Sequence, residues 1–252
     1  MVSIFLRAPA CCPARRPRWR GAALSVATLV VMGLPAAAHA GFFIPKDNWM
    51  AMTTVTPDEI NLDLAYGIRR DTSVSVGLTR VREAAADTPS GKAWRNVWFT
   101  QAVYLAKRVT TEDGIANAYV FGGPILQQRE SGGRFAASAD TSAHVGAQAG
   151  VWADYETRRI YARIKIHGLK SAGGDRWRRN EVIAQAMWAP YAADYEDVAS
   201  WIGVQAKRVS DERRVEITPY LRFFKKDWWI DAGFSVDRAH RKDIFVNVMH
   251  LF

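Results

Sequence analysis

Apolar and polar side chains alternate with a period of two along most of the chain after residue 41. The clearest run is Ile160 to Lys170, in which apolar residues occupy one face and polar residues the other. The apolar face carries Ile160, Ala162, Ile164 and Ile166, and the other carries Tyr161, Arg163, Lys165 and His167. Because successive side chains of a β-strand point to opposite sides, this run predicts a strand with one apolar side and one charged side.

The run before it, Ser142 to Tyr155, alternates in the same way. A tight turn at Thr157-Arg158 would join the two runs as a hairpin. The cross-strand pairs that follow from this register are Gln148 with His167, Trp152 with Arg163, and Asp154 with Tyr161. In this register the polar faces of the two strands coincide, which supports the hairpin.

Similar runs recur along the rest of the chain, with no domain boundary or repeat after Gly41. They are Trp49 to Val55, Ile60 to Tyr66, Ser73 to Arg82, Trp94 to Lys107, Ile115 to Gln127, Glu181 to Trp188, Trp201 to Arg208, Val215 to Phe224, Trp228 to Val236, and Ile244 to Phe252. With the two above, about twelve strands are predicted. An even number of antiparallel strands is typical of bacterial outer-membrane barrels.

The connections between these runs are long at one end of the strands and short at the other. The long ones are Ala84 to Lys92, Arg129 to Asp140 and Ser171 to Asn180; the short ones are Ile68 to Asp71, Thr110 to Gly114, Thr157-Arg158 and Lys225 to Asp227. Long loops at one rim and short turns at the other are the pattern of outer-membrane barrels. The segment Pro190 to Ser200 is an exception, since it is long at the short-turn end.

Tryptophans lie at strand ends, mostly on the short-turn side. They are Trp49, Trp152, Trp188, Trp201, Trp228 and Trp229, with Trp94 at the other end. Amphipathic rings favour the headgroup level of a bilayer, so the set predicts an interfacial girdle. A water-soluble barrel or sandwich with core tryptophans is the alternative, but core tryptophans need not cluster at one end. We therefore predict an all-β fold, a closed antiparallel transmembrane β-barrel of about twelve strands over residues 41–252.

Residues 1–40 have the pattern of a cleaved export signal. Five arginines precede the apolar stretch Ala22 to Leu34, and "AHA" before Gly41 is a small-x-small cleavage site. The apolar stretch is too short for a spanning helix, which needs about 20 residues. We expect removal of this segment and export to the outer membrane.

Removing the signal changes the composition that bears on function. The formal charge falls from +9 to +4, and both cysteines, Cys11 and Cys12, are lost. Neither disulfides nor thiolate chemistry is then expected. The moderate charge does not indicate a nucleic-acid partner, and the remaining histidines lack ligand spacing, so no metal or cofactor is predicted.

The last ten residues, "DIFVNVMHLF", read as a strand that runs to a terminal phenylalanine. Its alternate positions are Ile244, Val246, Val248, His250 and Phe252. This pattern resembles the C-terminal signature of Gram-negative outer-membrane β-barrel proteins, a terminal Phe with apolar or aromatic residues at alternate preceding positions. His250 departs mildly from the usual choice. The resemblance implies a closed barrel recognised by the barrel-assembly machinery; we expect a monomer with both termini in the periplasm.

Charged side chains of both signs occupy the inward face of the predicted strands. The candidate lumen-lining residues are Gln148, Asp154, Arg163, Lys165, His167, Glu181, Lys207, Arg222 and Asp231. Buried unpaired charges are costly, so these side chains must pair across the interior or line water. We expect a narrow channel for small solutes, with an anion preference from Arg163 and Lys165.

A non-conducting structural or surface-interaction barrel is the first alternative. Its outer loops would contact anionic lipopolysaccharide among the outer-membrane lipids. The candidate contacts are Arg134, Arg176, Trp177, Arg178 and Arg179.

An outer-membrane lipid hydrolase is the second alternative, because Ser142 and His144 share a face near the outer rim. Nucleophilic catalysis also needs a third group that orients the base, and the sequence offers no convincing one. The pair also faces inward rather than toward lipid, so no catalytic residue is assigned.

Overall fold

The computed structural model of the chain describes residues 44–84, 91–130, 142–173, 177–194, 196–210, 214–237 and 243–252. The export signal predicted at residues 1–40 lies outside them. No helix in these ranges is long and apolar enough to cross a membrane.

The described residues form twelve β-strands and no α-helix. The strands are β1 (Trp49–Val55), β2 (Glu59–Gly67), β3 (Thr72–Ala84), β4 (Lys92–Thr110), β5 (Gly114–Arg129), β6 (His144–Thr157), β7 (Ile160–Ser171), β8 (Arg178–Trp188), β9 (Ala199–Val209), β10 (Glu216–Lys225), β11 (Trp228–Phe234) and β12 (Ile244–Leu251). Each overlaps one of the runs predicted from the alternation, with ends shifted by a few residues.

The strands form one closed antiparallel barrel. Each strand pairs with the next in the chain, and β12 pairs with β1. Backbone hydrogen bonds from Trp49 N to Phe252 O, 2.7 Å, and from Phe252 N to Trp49 O, 2.9 Å, extend this last ladder to residue 252. Closure leaves no strand edge unpaired, so the predicted all-β closed barrel is confirmed.

The two rims of the barrel differ. We call the rim at the β3–β4, β5–β6 and β7–β8 connections the long-loop rim, and the opposite rim the short-turn rim. At the short-turn rim β6 and β7 are joined through Arg158 and Arg159, and β10 and β11 through Lys226 and Asp227. The long β8–β9 connection, Ala189 to Val198, lies at the short-turn rim.

The predicted register of the β6–β7 hairpin is wrong by two residues. Gln148 pairs with Leu169 rather than His167, and Asp154 pairs with Arg163. The turn lies at Arg158-Arg159, because the Thr157 hydroxyl accepts hydrogen bonds from the backbone N–H groups of Arg159 and Ile160. A shift of two residues preserves which face each side chain occupies.

The outside of the barrel is apolar between the rims. Large apolar side chains exposed there include Leu62, Leu64, Val76, Trp98, Val120, Leu126, Val145, Val151, Ile164, Ile166, Val182, Ile202, Val204, Leu221, Phe223 and Ile230. A water-soluble protein rarely exposes so large a continuous apolar surface. The outer wall is therefore suited to hydrocarbon.

The inside is mixed rather than uniformly polar. Buried apolar clusters project inward beside the charged side chains, among them Val97, Phe99, Ile125 and Leu169 in one cluster and Tyr161, Met187, Tyr220 and Phe245 in another. These clusters fill part of the lumen with side chains, as small barrels do.

Only part of the predicted tryptophan girdle lies on the outside of the barrel. Trp49, Trp188 and Trp228 are exposed on the outside near the short-turn rim. The other three of that group point inward: Trp152, Trp201 and Trp229. Their positions along the strands have the inward parity, which decides their side regardless of the interfacial preference of the indole ring.

Candidate functional site

Two cavities occupy the lumen. The larger has a volume of about 860 Å³, opens at the short-turn rim and is lined by aromatic and charged side chains such as Tyr161, Trp201 and Arg108. The smaller, about 200 Å³, extends toward the long-loop rim. We call them the lower and upper cavities. The side chain of Arg222 lines both, so it stands where they meet.

Arg222 on β10 forms a paired, two-bond contact with Asp231, which lies directly opposite on β11. Arg222 Nε donates to Asp231 Oδ1 at 2.6 Å and its Nη2 donates to Oδ2 at 2.8 Å. Asn247 Nδ2 on β12 donates to Asp231 Oδ2 at 3.1 Å, and Thr54 on β1 donates to Asn247 at 3.0 Å. Both charged partners are almost fully buried, so this chain of bonds fixes four neighbouring strands from inside.

Four charged side chains meet in the upper cavity, and we call them the cross-lumen cluster: Glu59, Arg179, Glu181 and Lys207. Glu59 Oε2 lies 2.7 Å from Lys207 Nζ and 3.2 Å from Arg179 Nη2. Glu181 Oε2 lies 3.4 Å from Lys207 Nζ and 3.6 Å from Arg179 Nη2.

The cross-lumen cluster joins opposite walls of the barrel. Glu59 belongs to β2, whereas Arg179 and Glu181 belong to β8 and Lys207 to β9. Among the described strands, five separate β2 from β8 in either direction around the closed sheet. The contacts of Glu59 therefore cross the lumen, while those of Glu181 stay on one wall.

The inward face of β7 carries Arg163, Lys165 and His167. The Arg163 guanidinium lies 5.6 Å from the Trp152 ring centre, and Lys165 Nζ lies 5.3 Å from the Phe121 ring centre. Among the described residues, no ion pair joins Lys165 to a carboxylate.

The amide side chains of Gln148 on β6 and Gln101 on β4 connect the inward face of β7 to these two strands. His167 Nε2 lies 3.0 Å from Gln148 Oε1, and Gln148 Nε2 lies 3.4 Å from Gln101 Oε1 on β4. Asp154 accepts a hydrogen bond of 2.7 Å from Asn117 Nδ2. The predicted lumen residues thus lie on the inner side of the sheet. They are Gln148 and Asp154 on β6, Arg163, Lys165 and His167 on β7, Glu181 and Lys207 in the cross-lumen cluster, and the Arg222–Asp231 pair.

Charges of both signs line the upper cavity in similar numbers. The acids are Asp58, Glu59, Asp63, Glu181, Glu216, Asp231 and Asp243, and the bases are Arg82, Arg163, Lys165, Arg179, Lys207 and Arg222. Asp63 Oδ1, on β2, is buried without a hydrogen-bond partner among the described residues. The cavity therefore carries no large excess of one sign.

The residues predicted to contact lipopolysaccharide from the outer loops do not form one group. Arg134 and Arg176 lie outside the described residues. Trp177 turns into the barrel, where its Nε1 donates to Glu83 Oε2 at 3.1 Å and its ring lies 5.0 Å from the Arg95 guanidinium. β8 begins at Arg178, earlier than predicted, so Arg179 belongs to the strand. Its position in the strand alternation directs its side chain into the lumen. Arg178 faces outward and is exposed.

Ser142 and His144 lie at the start of β6, at the long-loop rim. No group of three or more His, Cys, Asp or Glu side chains able to hold a metal ion occurs in the described part of the chain. The hydrolase hypothesis stays a prediction.

The last strand is positioned as the alternation requires. Ile244, Val246 and Val248 alternate with the buried Phe245, Asn247 and Met249. The His250 ring lies 4.1 Å from the ring of Trp228, its cross-strand neighbour, and 5.4 Å from that of Phe252. Recognition of this strand by an assembly machinery stays a prediction.

Sequence reasoning missed Glu59. It lies just outside the predicted strand, Ile60 to Tyr66, whereas the observed β2 begins at this residue. Its partners, Arg179 and Lys207, are 120 and 148 positions away. Period-two parity could have placed Glu59 inside the barrel, but nothing local to it identifies side chains on the opposite wall.

Comparisons with known proteins do not assign the chain to a family. No protein-family model matches it, and no curated protein is detectably similar. Fourteen solved chains show structural similarity. One of them, a "KdgM porin", is 9% identical, covers 81% of this chain and 99% of its own, and superposes with a TM-score of 0.45.

Proposed function

We propose that the chain is an outer-membrane β-barrel whose lumen is a narrow channel for small polar solutes. The observation that carries the proposal is that two cavities, each lined in part by charged side chains, meet at Arg222 inside a closed barrel. A lumen that served only to hold the sheet together could be filled with apolar side chains at lower desolvation cost.

The membrane location is supported by the outer wall. Exposed apolar residues cover it between the rims, and every strand pairs on both sides, so no backbone polar group need face hydrocarbon unpaired. The export pattern of residues 1–40 and the terminal strand signature agree with this location and with the barrel-assembly machinery as a partner.

The two ends of the lumen would have different roles. The wide lower cavity admits solutes from the short-turn rim, and the smaller upper cavity is narrowed by the cross-lumen cluster. Conduction would then depend on whether Glu59 holds Arg179 and Lys207 across the lumen. Openings in such a barrel should be small and infrequent.

The preference for anions stays a prediction. Lys165 supports it, because its ammonium group has no ion pair among the described residues. Asp63 opposes it with a carboxylate oxygen that has no hydrogen-bond partner there. Whether the channel prefers anions or cations depends on the balance between the positive charge on β7 and the carboxylate on β2.

Ion selectivity tests the channel proposal. In planar bilayers the refolded wild type should give small discrete openings, and Arg163→Ala with Lys165→Ala should shift the reversal potential in a salt gradient toward cation preference, because two lumen cations are lost. Lys225→Ala removes an exposed outward cation at the short-turn rim and should leave the reversal potential unchanged. A reversal potential that moves equally in both would contradict a role for the β7 face.

Gel migration tests the membrane barrel itself. The refolded protein should migrate faster in detergent gels without heating than after boiling, since a closed barrel with backbone bonds on both sides of each strand resists detergent. Identical migration before and after boiling would contradict a closed barrel that stays folded in detergent.

A non-conducting structural barrel is the second candidate. The buried cluster of Val97, Phe99, Ile125 and Leu169 and the cross-lumen cluster favour it, because both fill the upper half of the lumen. A barrel that shows heat-dependent migration but no openings, in the wild type and in a variant without the Glu59 contacts, would support this candidate instead.

A further inference from the structure

The outer faces of β7, β8 and β9 change from apolar to basic toward the long-loop rim. Toward this rim, the outward residues of β7 change from Ile164 and Ile166 to Lys170. On β8, which runs away from the rim, they change from Val182 to Arg178. On β9 they change from Val204 to Arg208. We call the three exposed basic residues the wall patch: Lys170, Arg178 and Arg208. Lys170 and Arg178 lie beyond Ile166 and Val182 toward the long-loop rim, whereas Arg208 pairs directly with Val182 near the end of β9.

Two members of the wall patch are direct cross-strand neighbours. Lys170 on β7 pairs with Arg178 on β8, and Arg208 on β9 pairs with Val182, four positions farther along β8. Like charges directly opposite each other destabilise a sheet unless something neutralises them. The next outward pair, Gly168 with Asn180, carries no charge of either sign.

The basic residues on the other side of the barrel are paired, which makes the wall patch distinctive. On β3, Arg80 lies 2.7 Å from Glu130, and on β4, Lys92 lies 3.2 Å from Asp58. In the parts of the chain that the structure describes, no ion pair joins Lys170, Arg178 or Arg208 to an acid. Within one protein, the same rim thus carries one neutralised and one unneutralised set of cations.

We propose that the wall patch binds the phosphate groups of lipopolysaccharide in the leaflet that surrounds the long-loop rim. Phosphate supplies the missing negative charge, Arg178 and Arg208 can each donate two hydrogen bonds to its oxygens, and Lys170 adds a point charge. Acyl chains of the same lipid would lie along Ile166 and Val182. This inference rests on the proposed membrane location.

Binding to purified lipopolysaccharide in neutral detergent tests the wall patch. The wild type should bind at least about tenfold more tightly than the triple variant Lys170→Gln/Arg178→Gln/Arg208→Gln, since charge-assisted hydrogen bonds to phosphate are lost. The matched control, Arg69→Gln/Arg158→Gln/Lys225→Gln, removes three exposed cations from the short-turn rim and should bind like the wild type. Heat-dependent migration confirms that each variant is folded.

Two further probes identify the ligand. Dephosphorylated lipopolysaccharide should bind the wild type and the triple variant equally weakly, and millimolar inorganic phosphate should not displace the intact lipid. Equal binding by the triple variant, an equal loss in the control, or full displacement by inorganic phosphate would each overturn the proposal. Loss of channel openings with retained lipid binding would instead contradict the proposed channel and leave the wall patch standing.

Discussion

Replacing Glu59 with Gln is expected to raise the open probability of the barrel by at least about one order of magnitude. Hydrogen bonds to charged groups contribute about 1.5–3 kcal/mol each, and about 1.4 kcal/mol corresponds to a tenfold change in an equilibrium. Glu59 bonds to Arg179 and Lys207 across the lumen, at 3.2 Å and 2.7 Å. Without its charge the tie between opposite walls weakens and the upper cavity widens.

The variant should still fold, because its partners keep another acid. Glu181 lies 3.6 Å from Arg179 and 3.4 Å from Lys207 on the same wall. The two bases would therefore remain paired, on the β8–β9 side of the lumen. A buried charge is not left without compensation, so the usual cost of breaking a buried ion pair is reduced.

The matched control is Glu181→Gln. It removes the same charge from the same cluster but leaves both contacts of Glu59 across the lumen in place. Single-channel recording in planar bilayers should show a large rise in open probability for Glu59→Gln and little change for Glu181→Gln. Equal increases in the two variants would show that net charge, rather than the tie between walls, controls opening.

If the barrel conducts as proposed, the cross-lumen cluster would allow it to be both stable and conducting. Its ion pairs are formed by side chains rather than by a folded plug, so opening requires only that a few rotamers change while the sheet stays closed. Side-chain rearrangements of this kind are fast and local. The Arg222–Asp231 pair differs, because it joins adjacent strands and does not cross the lumen.

Much of the architecture could be predicted because strand parity is a local property. Ile160 to Lys170 assigns Arg163, Lys165 and His167 to the inside from the sequence alone, and the error of two residues in the β6–β7 register preserved that assignment. The error arose because Thr157 was placed within the turn, whereas its hydroxyl binds the backbone after it.

Contacts across the lumen could not be predicted, since they depend on the strand count and tilt of the whole barrel. Glu59 and Arg179 become opposite only when β2 and β8 face each other in the closed sheet. Arg179 also fell within a predicted loop, because the basic sequence from Arg176 to Arg179 looks solvent-exposed and hides the start of β8. The inward Trp177 was missed for the same reason.

The interior is less polar than the alternation suggested, and this bears on stability. Inward Trp152, Trp201 and Trp229 pack within apolar clusters, so part of the barrel's stability comes from a core inside the lumen. Charged groups beside such a core are poorly hydrated. Their pairing should therefore matter more than that of charges on the outside.

Replacing Arg222 with Ala is expected to lower the free energy of unfolding by about 3–5 kcal/mol, the usual cost of leaving a buried charge unpaired. Asp231 is only 1% exposed, so its carboxylate would keep Asn247 as a hydrogen-bond donor but lose both bonds from the guanidinium. Urea unfolding in lipid vesicles, followed by tryptophan fluorescence, measures the change. Lys225→Ala, at an exposed outward position, should cost no more than about 0.5 kcal/mol.

The double variant Arg222→Met/Asp231→Leu separates pairing from packing. Replacing both partners of a buried ion pair by apolar groups of similar volume is often neutral or stabilising, so this variant should recover most of the stability lost in Arg222→Ala. A double variant as unstable as Arg222→Ala would mean that the side-chain volume and the bonds of Asn247 and Thr54, rather than the unpaired carboxylate, determine the loss. In that case the point where the two cavities meet is held by packing and by the hydrogen bonds of Asn247 and Thr54 rather than by the ion pair.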